Sequence, residues 1–156
     1  MSQSDDDFSK AALDHAWNWF ALHAGQRMQS FNFFLIATAF LVAAYATVLK
    51  EHRDIAIGIG VLGAWISLWF NRLEQRTKQL VKAGEAALAT FQEQLAQRSG
   101  VQALKILVAI EPKAPHSSSY AKVITTIQWT TFFGFAGAAV YAAWPHLRRL
   151  LCAACP

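Results

Sequence analysis

The sequence predicts an all-α membrane protein, and two observations support this class. Residues 31–49, 55–70 and 123–144 are apolar segments without a charged side chain. At about 1.5 Å per residue, the first two reach about 28 and 24 Å as helices, against a hydrocarbon core of about 30 Å. Only 15% of the residues are charged, whereas soluble domains carry about 25%. Three spanning helices are preferred to a soluble bundle, because the rest of the chain has too little apolar surface to enclose them.

Residues 1–30 are predicted to form an amphipathic helix in the cytoplasm or at the membrane interface. Its aromatic rings, such as Trp19, favour the headgroup layer. The acidic start, MSQSDDDFSK, differs from the basic start of a cleavable signal peptide. His23 and Arg27 lie one helical turn apart where this helix meets the first span. They form either an ordinary interfacial pair or a site for a headgroup phosphate or a neighbouring chain.

Residues 31–70 are predicted to form a transmembrane hairpin, because the five polar residues from Lys50 to Asp54 leave room only for a tight turn. Residues 71–122 then continue the second span as an amphipathic cytoplasmic helix, which should stop near Ser99 and Gly100, and end in a loop. Residues 101–110 form either a short helix or a strand. Apolar side chains at helical spacing make a seam suited to a cytoplasmic partner: Leu73, Leu80, Leu88, Phe91 and Leu95.

The third span is predicted over residues 123–144, before Pro145, and residues 145–156 form a short tail. With three spans, ten lysines and arginines lie on the side of the N-terminus and four on the other side. The positive-inside rule then places the N-terminus and residues 71–122 in the cytoplasm and the C-terminus in the periplasm. If the third segment is instead a surface helix, the C-terminus lies inside.

Small residues recur at every fourth position of two spans, a spacing that lets helices approach closely in lipid. These contacts form either within one chain or between copies, and the candidates are Ala56, Gly60, Ala64, Gly134, Ala138 and Ala142. A second set contains the few polar groups able to line a path through the spans: Asn32, Thr38, Ser67 and Gln128. The spans contain no acid or base, which argues against a proton-coupled transporter.

No motif indicates catalysis or a cofactor. Residues 58–63 match the G-x-G-x-x-G pattern of nucleotide-binding folds, but they lie inside a predicted span rather than between a strand and a helix. Cys152 and Cys155 have C-x-x-C spacing without a second ligand pair, so they are an incidental pair or a disulfide. The sequence contains no nucleophile with a base and no paired carboxylates. An enzyme, a metal site, a cofactor and a nucleic-acid partner are therefore not expected.

Residues 15–95 carry a resemblance to a known family. HAGQRMQSFNFFL, the tight hairpin and FNRLEQRTKQLVKAGEAAL resemble small bacterial membrane proteins of the SLATT type, which have a membrane hairpin followed by a cytoplasmic helix. The resemblance implies oligomerisation in the bacterial inner membrane and permeabilisation of that membrane in antiphage defence. This chain departs from the two-span pattern by its third span and shows no sensor domain. The trigger would therefore come from a separate protein or nucleotide-signalling partner.

The leading hypothesis is a self-associating inner-membrane protein whose cytoplasmic segment receives a signal and whose spans form the output, such as a pore. The alternative is a non-conducting anchor or accessory subunit that docks a cytoplasmic partner through residues 72–110. An enzyme acting on lipid would require turnover that depends on His15 or His23.

Overall fold

Three long helices account for most of the chain in the computed structural model, which describes residues 3–107 and 120–153. We number them α1 (Gln3–Val48), α2 (Arg53–Ser99) and α3 (Tyr120–Ala153), and a short 3-10 helix spans Gln102–Leu104. No strand occurs within the described residues, so the predicted all-α class is confirmed. The predicted loop at 111–119 and residues 108–110 lie outside the described ranges.

α1 joins the predicted N-terminal helix and the first span without interruption. No proline occurs in this stretch, so the backbone hydrogen bonds can continue from one segment into the next. The turn to α2 is held by the Leu49 amide, which donates to the Tyr45 carbonyl at 3.1 Å, and by the His52 amide, which donates to the Val48 carbonyl at 2.8 Å. The turn is shorter than predicted, since α2 already begins at Arg53.

α2 ends at Ser99, and Gly100 has a positive φ of 72°. This backbone conformation favours glycine and commonly follows the last residue of a helix. The predicted helix stop is therefore confirmed. In residues 101–107, the described part of the ambiguous segment, Gln102–Leu104 form the 3-10 helix and no strand is present.

α3 is longer than the predicted third span. The predicted span, residues 123–144, lies within α3, which passes through Pro145 and continues to Ala153, so residues 145–153 of the predicted tail are helical. Proline lacks the amide hydrogen and its ring crowds the carbonyl one turn earlier, which bends or ends many helices, but α3 resumes beyond it. Side chains are described as far as Arg149. The side chain of Cys152 and all of Cys155 thus lie outside the description.

The helices contribute to two compact units. Unit 1 comprises residues 1–29 and 75–119, and unit 2 comprises residues 30–74 and 120–156. The core of unit 1 contains Ala16, Val81, Leu88 and Ala96, and that of unit 2 contains Phe34, Ala56, Ile124, Phe135 and Ala142.

Each long helix is apolar enough over part of its length to cross a membrane, and these helices are Asp7–Val48, Arg53–Ser99 and Tyr120–Arg149. Within a single chain, only 6%, 28% and 22% of their most apolar windows are buried. Most of the apolar helix surface is therefore left for lipid or for other chains, as expected where the bilayer is the solvent.

Candidate functional site

A stripe of small residues on α2 forms the contact with α3 in unit 2. Gly60 and Gly63 are both buried. A β-carbon on Gly60 would lie 2.9 Å from the backbone of Ala139, and one on Gly63 would lie 2.5 Å from the ring of Phe135. Only glycine permits so close an approach, and close approach supplies much of the packing energy between helices in lipid.

The six predicted small residues fall into two groups. Ala56, Gly60 and Ala142 are buried within the chain, and Ala64 and Ala138 are half-buried. Gly134 is exposed, and a β-carbon there would meet nothing within 4 Å. Part of the stripe thus serves contacts within one chain, while Gly134 lies on a surface that the chain itself leaves open.

A buried pair of amide side chains links α2 to α3. The Asn71 Nδ2 donates to Gln128 Oε1 at 3.1 Å, and the two residues are 6% and 2% exposed. Ser67, one turn before Asn71, is also buried and donates its hydroxyl to the Gly63 carbonyl at 2.8 Å. Among the described side chains, no buried nitrogen or oxygen lacks a hydrogen-bond partner. Ser67 and Gln128 therefore bond within the chain.

The two other predicted polar residues lie elsewhere. Asn32 is exposed, and Thr38 is half-buried on the wall of a groove between α1 and α3. The groove has a volume of about 320 Å³. Its walls are formed by Thr38, Val42, Tyr45, Thr131, Gly134, Phe135 and Ala138. The groove is thus lined mainly by apolar groups.

Two residues that the sequence analysis did not single out hold these helices together. Tyr45 donates its hydroxyl to the Ala138 carbonyl at 2.7 Å, which ties α1 to α3. Asn71 lies one turn beyond Ser67 on the buried face of α2. The signal for Asn71 was its spacing from Gly60, Gly63 and Ser67, because steps of 3 and 4 keep residues on one helix face.

In unit 1, α1 packs on α2 through Trp19. Its indole Nε1 donates to the Leu80 carbonyl at 3.2 Å. Gly84 permits this contact, since a β-carbon there would lie 3.1 Å from Phe20. The predicted pair His23 and Arg27 is half-buried on the same face of α1. The His23 ring lies 4.5 Å from the Trp19 ring, edge to face, and its Nδ1 lies 3.1 Å from Gln26 Oε1.

The predicted leucine seam on α2 is divided between buried and exposed positions. Leu88 is buried, Leu80 and Phe91 are half-buried, and Leu73 and Leu95 are exposed. The most buried residues of α2 in unit 1 are Thr77, Val81, Gly84, Leu88 and Ala96. The buried stripe is thus offset by about one residue from several of the predicted leucines.

The segment after α2 folds back onto that helix. Lys105 Nζ lies 2.7 Å from Glu93 Oε1, and the Leu107 amide donates to Gln92 Oε1 at 3.1 Å. The hydrogen bond from Lys105 is the main reason why the pKa of Glu93 lies below its ordinary value, and a hydrogen bond from Gln97 adds to the effect. The ion pair and this backbone-to-side-chain hydrogen bond hold Lys105 and Leu107 against α2.

Comparisons with known proteins identify a family and a relative. The octameric membrane protein family (8xMP) matches residues 10–144, which include all three spans. The chain is also similar to CD-NTase-associated protein 19 of Escherichia coli, with 38% identity over 87 residues, or 54% of this chain. That alignment spans 57% of the relative's own length.

No solved structure matches. These findings agree with an antiphage-associated membrane protein and do not single out the SLATT type. Because the family match covers most of the chain, the protein belongs to the octameric membrane protein family.

Proposed function

We propose that this protein assembles as a ring of eight in the bacterial inner membrane and acts as a permeabilising effector in antiphage defence. The observation that carries the proposal is the match to the octameric family over residues 10–144. The relative named for its association with a CD-NTase supports a nucleotide-signalling context. The permeabilising activity in this proposal is based on the resemblance to SLATT-type effectors.

The geometry of a ring supports a conducting assembly. Copies that share one membrane orientation close by cyclic symmetry. If one helix from each of the eight copies lines the ring, with about 9 Å between neighbouring helices, the helix axes lie about 12 Å from the centre and leave an opening about 6 Å in radius. Such an opening is wider than water and small ions. Packing between neighbouring helices would therefore not seal the centre of such a ring.

The proposed orientation places the N-terminus and residues 71–122 in the cytoplasm and the C-terminus in the periplasm. It rests on ten basic residues on one side of the spans against four on the other. Residues 72–110, including the exposed Leu73 and Leu95, then face the compartment in which a protein or nucleotide signal is produced. A reporter fused near position 90 that appears in the periplasm would contradict this orientation.

The first experiment measures assembly and leakage on the same sample. Purified protein is reconstituted into dye-loaded vesicles, and its mass is measured in detergent and in native membranes. We expect an octameric mass, and dye release once the cytosol of phage-infected source cells, which supplies the separate trigger, is added. A single monomeric species would contradict the proposal, and so would an octamer that releases no dye after this addition.

Two glycine variants provide a matched pair for this assay. Gly60→Leu forces a side chain into Ala139, whereas Gly58→Leu places the same side chain in open space two residues away. Leakage should fall with Gly60→Leu and persist with Gly58→Leu, at equal amounts of protein in the membrane. Equal leakage from the two variants would show that packing of α2 on α3 does not control the output.

The alternative is a non-conducting anchor. It is favoured because the three predicted spans contain no charged residue, so a pore formed by them would have few groups to bind ions. In that case, expression leaves the membrane potential unchanged while a cytoplasmic protein co-purifies through residues 72–110.

A further inference from the structure

The end of α3 carries an open cleft of about 370 Å³, directly after the third span. We call it the arginine cleft, and its walls are Trp144, Pro145, Arg148 and Arg149. None of its four wall residues is acidic. The cleft therefore combines an aromatic ring and two permanent positive charges without a neutralising partner in its walls.

Local helix geometry explains how the cleft forms. Trp144 and Arg148 lie one turn apart, as do Pro145 and Arg149, so two neighbouring rows of side chains rise from the helix. Side chains from both rows form the walls of the cleft. Proline also has no amide hydrogen, so the carbonyl of Tyr141 receives no helical hydrogen bond from position 145.

The surroundings place the cleft at a membrane surface. Trp144 is exposed at the last position of the apolar segment, where indole rings favour the headgroup layer. His146, on the next row of α3, lies 3.4 Å from Asp54 in the first turn of α2. The nearby carboxylate thus faces His146, and both arginine side chains are exposed.

We propose that the arginine cleft binds the phosphodiester of an anionic phospholipid headgroup. A guanidinium presents paired N–H donors that match phosphate oxygens in two-point hydrogen bonds, and two guanidiniums on adjacent rows can hold one phosphate. The indole of Trp144 then packs along the glycerol and upper acyl chain. The inference goes beyond the proposed function, since it holds whether or not the assembly conducts.

The test counts lipids retained by the intact protein in native mass spectrometry, after exchange into phosphatidylglycerol or phosphatidylcholine. The cleft variant is Arg148→Gln with Arg149→Gln. The matched control is Lys50→Gln with Arg53→Gln, which removes the same number of positive charges. These two residues lie near Asp54, which contacts His146 at the same end of unit 2 as the cleft. Circular dichroism verifies that both variants remain helical.

We expect the cleft variant to retain about tenfold less phosphatidylglycerol than the wild type, and the control to change by less than about twofold, because a fitted site depends on geometry as well as charge. The variant Arg148→Lys with Arg149→Lys should retain an amount of phosphatidylglycerol between those of the cleft variant and the control variant. Equal losses in the cleft and control variants would overturn the proposal, as would unchanged retention. Displacement of the lipid by excess inorganic phosphate would assign the cleft to a soluble anion instead.

Discussion

Asn71 of α2 and Gln128 of α3 form a buried hydrogen bond of 3.1 Å between two helices that are long and apolar enough to span a membrane. Replacing Asn71 by leucine removes the donor, so the buried Gln128 Oε1 loses this hydrogen bond. We expect Asn71→Leu to lower the free energy of unfolding by about 1–2 kcal/mol, the range of interhelical polar contacts in membranes. Detergent unfolding followed by circular dichroism measures the change.

The double variant Asn71→Leu with Gln128→Leu is the control for this prediction. Removing both polar groups leaves neither one unsatisfied, so the double variant should lose less stability than the sum of the two single variants. Strict additivity would show that the two amides are not coupled.

Gly60 is predicted to be intolerant of a methyl group, because its β-carbon would meet the backbone of Ala139 at 2.9 Å. Gly60→Ala should lower the free energy of unfolding by about 1–3 kcal/mol through overpacking. Gly58→Ala, in open space on the same helix, should be neutral or raise it by up to about 1 kcal/mol, because alanine favours the helix. Equal effects of the two variants in detergent unfolding would refute this account.

Much of the fold is predictable because it depends on local patterns. The three apolar segments lack charges over lengths that suit a bilayer, and Gly100 supplies the backbone conformation that ends α2. The apolar segment that ends at Trp144 does not show how far the helix itself extends, since α3 continues through Pro145 to Ala153.

The packing face of α2 is harder to predict from sequence. Leucine spacing indicates an amphipathic helix, but the rotation of that helix about its axis depends on its partner. In unit 1 that partner is α1, whose Phe20 approaches Gly84 closely, so the face of α2 that contains Gly84 is buried while Leu95 remains exposed. Asn71 was missed for a related reason, since it lies just outside the apolar segment yet on its buried face.

Trp19 is predicted to stabilise unit 1 through its hydrogen bond to the Leu80 carbonyl. Trp19→Phe keeps an aromatic ring but removes the donor, and should lower the free energy of unfolding by about 0.5–1.5 kcal/mol. Trp17→Phe is the matched control, because Trp17 is 56% exposed against 40% for Trp19. It should lower the free energy of unfolding by less than Trp19→Phe. Chemical unfolding of both variants gives the comparison. A larger loss from Trp17→Phe would contradict the assignment of Trp19 as the anchoring indole.

The ion pair between Glu93 and Lys105 predicts a pH dependence for the segment after α2. Because the pKa of Glu93 is lowered in the folded chain by the hydrogen bond from Lys105, its stabilising contribution is present above the ordinary pKa of 4.5 and is lost as the pH falls through the lowered value. Lys105→Gln should raise the pKa of Glu93 towards 4.5, with a small remaining effect from Gln97. Carbon-detected NMR titration of the Glu93 carboxyl measures this shift. Lys82→Gln, which removes an exposed positive charge elsewhere on α2, should leave the titration unchanged, and identical titrations in the two variants would exclude the pairing.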